Sequence, residues 1–373
     1  KIRQRILSSF GGWKMISEET SKRITSLRFL LAVFVVFIHN TISQEMAVEN
    51  SYVYNNSTTG VWIQNIIAFF TASAVPLFLL FAGYLQVKKS DSYRTLVRKK
   101  IRSLLIPYIL WIALYLFYET LIRSWFAQAV PSLFSDHNNV YKFWSVKDYF
   151  FHILGYSSEQ GGVPLAAGQF WFVRNLFIFV LLSPLFVFLV KKVPFFVFIL
   201  ISAIFSSVNI VCEANLPYSL FYYICGLYWG VYDFDLFERI DRIKWYEIGL
   251  CFVLVFLLKF FHYQLPCSFA LTTLFSSLII LKFSGVIIKN NTIFEKTKYL
   301  SDFSFFLYAI HMPVLNVIVQ KIWLRVFPMK NAFFCLFQLF GGTIIIVVIG
   351  TCIGIILRKI CPPLFSLLNG GRK

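Results

Sequence analysis

The stretch SLRFLLAVFVVFIHN, residues 26–40, is a membrane-spanning run interrupted at two positions. Arg28 enters it, and His39 follows eleven residues later near its far end. An arginine at mid-depth in a bilayer costs roughly 2.5–3.5 kcal/mol on insertion scales, so such residues normally face a bundle interior or a wet cavity. Eleven residues at ~100° each make three turns plus about 20°, which puts both side chains on one face, ~16 Å apart along the axis. One stripe of this helix therefore carries a cation near the inner boundary and an imidazole toward the outer one. Two readings of each remain open. Arg28 either turns inward or snorkels to inner headgroups, and His39 either does chemistry or is satisfied by a neighbouring helix.

Working outward, the rest of the chain has the same character. Of its 373 residues 58% are hydrophobic and only 14% charged, and the mean hydropathy is +0.71. Soluble domains run near 45–50% apolar and about 25% charged, so lipid is the natural solvent here. Apolar runs near the ~20 residues that cross a bilayer fall at 24–42, 61–87, 103–122, 169–190, 194–212, 217–232, 246–262, 267–288, 303–320 and 332–357. The expected fold is all-α, a polytopic membrane helix bundle of about ten transmembrane helices. Its parts are a basic lead-in at 1–23, a membrane domain at 24–357 with a long outer loop at 123–168, and a tail at 358–373.

The net charge of +18 is distributed asymmetrically. With the N-terminus inside, 25 of the 35 Lys and Arg lie on inner segments and six on outer ones. That is the positive-inside pattern, and it predicts both termini in the cytoplasm. The charge sets topology and meets anionic lipid; no basic stretch is long enough to stand as a nucleic-acid-binding domain. The seven cysteines lie mostly in or beside spans without metal-type spacing, which reads as buried apolar thiols and no metal site. Residues 1–23 lack the apolar core of a cleavable signal and read as an amphipathic lead-in carrying Ile6, Leu7, Phe10 and Trp13. The outer loop is rich in Trp and Tyr, as sugar-binding loops and membrane interfaces both are. Prolines 76, 107, 184 and 313 fall inside spans, where each removes a donor and frees a carbonyl, so bends are expected there.

Further ionisable residues sit within the spans. SDFSFFLYAIHMPV, residues 301–314, places His311 ~12 Å in from the inner side, and Pro313 frees the carbonyl of Ala309. QFWFVRNLFIF, residues 169–179, buries Arg174 near the outer boundary, and Glu119 lies near the outer end of the third span. By depth, His39, Glu119 and Arg174 are expected at the outer end of a cavity whose middle is lined by His311; an interfacial Glu119–Arg174 ion pair is the competing reading. On the inner side, Arg98 and Arg102 share a helix face in RKKIRSLLIPY, residues 98–108, just ahead of Tyr108. Arginine forks suit phosphates, which makes this a candidate site for a phosphorylated ligand.

Arg, ten residues, then His on the first helix resembles the signature of the acyltransferase-3 family of integral-membrane acyltransferases, many of which O-acetylate bacterial surface polysaccharides. PLFLLFAGYL (76–85), RKKIRSLLIPY (98–108), FWFVRNLFIF (170–179) and FSFFLYAIHMPV (303–314) are similar to family patterns in matching order. Phe29 departs from the small residue the family often has after the arginine. The resemblance implies transfer of an acyl group, acetyl above all, from cytosolic acyl-CoA to a hydroxyl of an extracytoplasmic glycan or lipid-linked sugar, at a bacterial plasma membrane. Acyl-CoA is then a co-substrate with no tightly bound cofactor, the glycan and the bilayer are partners, and a homo-oligomer stays open.

The layout of residues fits such a reaction. An inner mouth of Arg28, Arg98 and Arg102, with Tyr108, would meet the phosphates, and His39 would serve as base near the outer end. Glu119 would orient its ring, and Arg174 or His311 would stabilise the oxyanion. The competing class is a transporter or exporter of a polysaccharide or small polar solute. A transporter of that kind commonly shows repeated halves, and no repeat is visible in this sequence.

Overall fold

Helices stand at all ten places where the sequence has apolar runs. The structure, a computed structural model, describes residues 16–40, 66–88, 92–129, 145–154, 167–207, 216–260, 268–327 and 332–372, and no strand occurs among them. Fifteen helices are numbered here in chain order. They are α1 (Glu18–His39), α2 (Ile66–Val87), α3 (Tyr93–Trp125), α4 (Val146–Leu154), α5 (Gly168–Leu181), α6 (Ser183–Lys192), α7 (Phe195–Ser207) and α8 (Leu216–Tyr232). There follow α9 (Leu236–Arg242), α10 (Trp245–Phe260), α11 (Ser268–Lys289), α12 (Asn291–Ser301), α13 (Ser304–Val326), α14 (Ala332–Ile360) and α15 (Pro362–Leu368).

Five of these, α2, α3, α11, α13 and α14, are each long and apolar enough to cross a membrane, and the bent pair α5–α6 makes a sixth. The other expected spans fall on α1, which carries Lys22, Arg23 and Arg28, and on α7, α8 and α10, of 13, 17 and 16 residues. This is a multi-pass membrane bundle. Most of the lead-in, including Ile6, Leu7, Phe10 and Trp13, lies outside the described residues, as do 130–144 and 155–166 of the outer loop.

α1 is the axis of the bundle. Ile24, Leu27 and Leu31 pack with Leu77 and Phe81 of α2 and Leu281 of α11, while Ala32 and Val36 pack with Leu307, Val319 and Ile346 of α13 and α14. Burial on both flanks explains how a helix with three cations is held: its neighbours are protein, not lipid. Its N-terminal end is anchored by Arg23, which donates to Glu19 Oε1 (2.7 Å) and to Asp241. Lys282 Nζ in turn donates to the Asp241 carbonyl at 2.9 Å, at the negative end of α9.

α2 and α8 touch backbone to backbone. A Cβ on Gly83 would lie 2.1 Å from the Tyr223 carbonyl oxygen, and one on Gly226 2.0 Å from that of Leu80. Beside this contact Tyr84 and Trp229 stack with centroids 3.8 Å apart. Helices in lipid associate through such small-residue contacts because no hydrophobic force drives them together.

The prolines mark the irregular backbone. α5 and α6 meet at 69° beside Pro184. Pro107 follows the π-helical stretch Ile101–Leu105, and Pro313 lies in another, His311–Leu315, where Met312 leaves the helical region with φ −127° and ψ 155°. α2 restarts at Ala74, two residues before Pro76. Two connections differ from the sequence reading. Residues 93–102, expected in an inner loop, form the first turns of α3, because a run with Leu96, Val97 and Ile101 among its cations is amphipathic enough to continue the helix. The segment 358–373, expected as a tail, is packed: Phe365 and Leu368 are buried with Phe303 and Phe306, and Trp111 Nε1 donates to the Leu368 carbonyl at 3.0 Å.

Candidate functional site

The break in α13 leaves carbonyls without helical donors, and side chains take them up. Proline has no N–H, and an extended residue turns its own away from the helix. The Ala309 carbonyl accepts from Tyr115 and from Gln169 Nε2 (3.2 Å), the latter also donating to Met312 O at 2.8 Å. His311 Nδ1 lies 2.7 Å from the Tyr308 carbonyl, which can only accept, so a neutral ring keeps its proton on Nδ1. Nε2 is then a bare acceptor. It is fully buried and has no hydrogen-bond partner among the described residues. Tyr308 in turn donates to the Gln169 carbonyl.

Beside this acceptor stands His39, its ring centroid 5.3 Å from that of His311 with the planes at 42°. His39 is half-buried, whereas His311 is closed in. Asn40 fixes the end of α1. Its Nδ2 donates to Leu339 O (3.1 Å) and Thr343 Oγ1 (2.9 Å), and its Oδ1 accepts from Gln320 Nε2 (3.0 Å) and Gln338 Nε2 (3.1 Å). Asn316 Nδ2 adds a 2.7 Å bond to the His39 carbonyl. α13 and α14 are thereby tied to the turn that carries His39.

Toward the other end of α1 lies a cavity of about 440 Å³. Its polar lining comes from Arg28, Gln86, Lys99, Lys100, Ser103, Ser301, Ser304 and Arg372; its apolar part ends at Phe78, Phe172 and Tyr308. Those three rings stand in series, Phe78 to Phe172 at 6.0 Å and Phe172 to Tyr308 at 5.9 Å. Tyr308 is 6.1 Å from His311, yet neither histidine lines the cavity. Aromatic side chains thus stand between this cavity and the imidazoles.

Arg28 turns inward, since it lines the cavity. Arg98 and Arg102 do not: both are exposed, and Lys99, Lys100 and Ser103 line the cavity in their place. The reason is rotation. Leu96, Lys99, Lys100, Ser103 and Leu104 repeat at helical spacing on the inward face, and positions 98 and 102, which share a face, fall roughly 130–170° away from it. Tyr108, expected at the cofactor mouth, is buried, donates to the Ile153 carbonyl and packs edge-on to Phe170 at 5.9 Å; it ties α3 to α4.

Among the described residues Glu119 pairs with Arg123 one turn on, at 2.9 Å, and this contact, not one to His39 or Arg174, is what the geometry presents there. Arg174 donates to the Leu154 carbonyl (3.0 Å) and Asn175 Oδ1 (3.1 and 3.2 Å), holding the end of α4, and is not hydrogen-bonded to either histidine. His311 in its neutral form offers an acceptor, the reverse of what an oxyanion requires.

Gln169, Tyr115, Asn40, Lys99, Lys100 and Arg372 are the residues that sequence reading did not single out. Comparison with curated proteins and with solved structures gives no match. A family model described as an acyltransferase domain, of the acyltransferase-3 type, matches residues 22–359, from the N-terminal turns of α1 to the last turn of α14. With nearly the whole membrane bundle inside that match, the chain belongs to the acyltransferase-3 family of membrane acyltransferases.

Proposed function

We propose that the protein transfers an acyl group, acetyl first, from cytosolic acyl-CoA to a hydroxyl of a glycan or lipid-linked sugar on the outer side. The observation that carries this reading is the arrangement along α1, where Arg28 lines a cationic cavity and His39, on the same face, meets His311. Arg28, Lys99, Lys100 and Arg372 suit the phosphates of CoA, and the apolar walls suit the arm that carries the thioester. Phe78, Phe172 and Tyr308 move aside for the thioester to reach the histidines.

In the reaction His39 takes the proton of the acceptor hydroxyl as its oxygen attacks the thioester carbonyl. The tetrahedral intermediate collapses with loss of the CoA thiolate, and the same proton passes from His39 to that sulfur. While His39 carries the proton, its second N–H has His311 Nε2 as an acceptor. His311 cannot offer that lone pair in the other tautomer, and the Tyr308 carbonyl selects between the two.

The test uses purified protein in nanodiscs with labelled acetyl-CoA, together with mass spectrometry of surface glycans from cells with and without the gene. Saturable binding and acyl groups lost from the glycan on deletion are the expected results. Absence of CoA binding, with solute flux in proteoliposomes instead, would establish a transporter and end this proposal.

A further inference from the structure

The end of the described chain is built into the cavity wall. α15 closes in Asn369, fully buried, followed by Gly370 and Gly371 at φ +70° and +73°, conformations that L side chains rarely adopt. Gly371 N donates to Ser366 O at 2.7 Å. A Cβ on Gly370 would lie 2.4 Å from the Ser103 carbonyl oxygen, which Pro107, four residues on, has no N–H to cover. Asn369 Nδ2 reaches across to Asp302 O at 2.8 Å and back to Arg372 O at 3.2 Å. The turn is thus pinned to α3 and to the inner end of α13, and it delivers Arg372.

Arg372 Nη1 donates to Asn369 O at 2.9 Å, and its guanidinium lies 4.5 Å from the Phe305 ring centroid. It shares the cavity with Arg28. Among the described residues neither guanidinium is within ion-pair distance of a carboxylate; Asp302, which pairs with Arg358 at 3.5 Å, attracts Arg28 from farther off. Burial and the charge of Arg28 push the Arg372 guanidinium down to about 10, so it still holds its proton at neutral pH. Two like charges in one partly desolvated cavity repel each other, and an anion between them relieves that repulsion.

We propose that Arg372, delivered by the Gly370–Gly371 turn, binds a phosphate group of the donor together with Arg28, which makes segment 362–372 part of the substrate site. This rests on the reading of the cavity as the acyl-CoA site. A guanidinium offers phosphate two parallel N–H donors, which the single ammonium of lysine does not reproduce.

The test measures CoA affinity by calorimetry in phosphatidylcholine nanodiscs for wild type, Arg372→Met and Arg372→Lys, with the melting temperature of each ligand-free protein. The expected result is an about 10–100-fold weaker Kd for Arg372→Met, an intermediate one for Arg372→Lys, and a ligand-free melting temperature no lower than wild type. Equal affinities overturn the role of Arg372 and leave the donor reading standing. Weaker binding matched by a lower ligand-free melting temperature makes the residue structural and overturns it as well. Wild type without CoA affinity, stabilised instead by phosphatidylglycerol in a way lost in Arg372→Met, gives the guanidinium pair to a lipid headgroup and overturns both readings.

Discussion

The imidazole of His39, on the first helix, stands 5.3 Å from that of His311, on the thirteenth, and the Tyr308 carbonyl at 2.7 Å from Nδ1 leaves Nε2 as the acceptor nitrogen of His311. The relationship assigns different work to the two rings, and mutations separate them. His39→Gln is expected to lower turnover by about 10²–10⁴-fold, the usual contribution of a general base, with CoA affinity unchanged in a binding assay. His311→Asn keeps a donor for Tyr308 and removes the Nε2 lone pair, so turnover falls while the melting temperature holds. Full turnover in either variant would remove that ring from the reaction.

Gln169 covers two carbonyls that the proline break exposes. Gln169→Leu leaves Met312 O and half of the Ala309 pairing without a donor, at a cost of about 1–3 kcal/mol. The expected outcome is a lower melting temperature in detergent and, because these carbonyls flank His311, a reduced kcat with little change in KM for acyl-CoA.

The cavity face of α3 makes the cation prediction specific. Lys99→Ala/Lys100→Ala should weaken CoA binding, whereas Arg98→Ala/Arg102→Ala, one residue away on the exposed flank, should leave it within about twofold, as expected for exposed charges. Competition binding with labelled CoA distinguishes the two pairs. The reverse ranking would mean that the ligand lies outside the cavity.

Gly83→Ala puts a carbon 2.1 Å from a backbone oxygen that no side-chain rotation can move. α2 and α8 must then separate, and the expected result is loss of the monodisperse peak in size-exclusion chromatography. Gly249→Ala, at a position with open space around it, is the matched control and should leave the peak intact.

Depth and angle were each legible only in part. The interval between Arg28 and His39 puts both on one face, whereas counting from the inner end of the ninth span puts His311 at the middle of the cavity and His39 at its outer end; the structure brings the two rings to 5.3 Å. Arg98 and Arg102, arginines four apart, read as the ligand face. Yet Leu96 and Leu104, eight apart with Lys100 between them, already marked the buried side of that helix. Pro313 announced an orphaned Ala309 carbonyl, and a buried carbonyl needs a donor. What one sequence could not say is which of the distant donors, Tyr115 or Gln169, would answer, since that depends on how α3 and α5 are rotated against α13. Asn369, Gly370 and Gly371 after a short helix were a readable stop signal, and only tertiary packing showed that the turn leads back into the bundle instead of away from it.

The aromatic series Phe78, Phe172 and Tyr308 has a consequence for the membrane itself. An enzyme that opened a wet path from the inner solution to a titratable ring near the far side would short-circuit any ion gradient the bilayer maintains. With these rings between the cavity and His311, any file of water would have to run past aromatic faces, so the insulation of the bilayer is expected to be kept between turnovers.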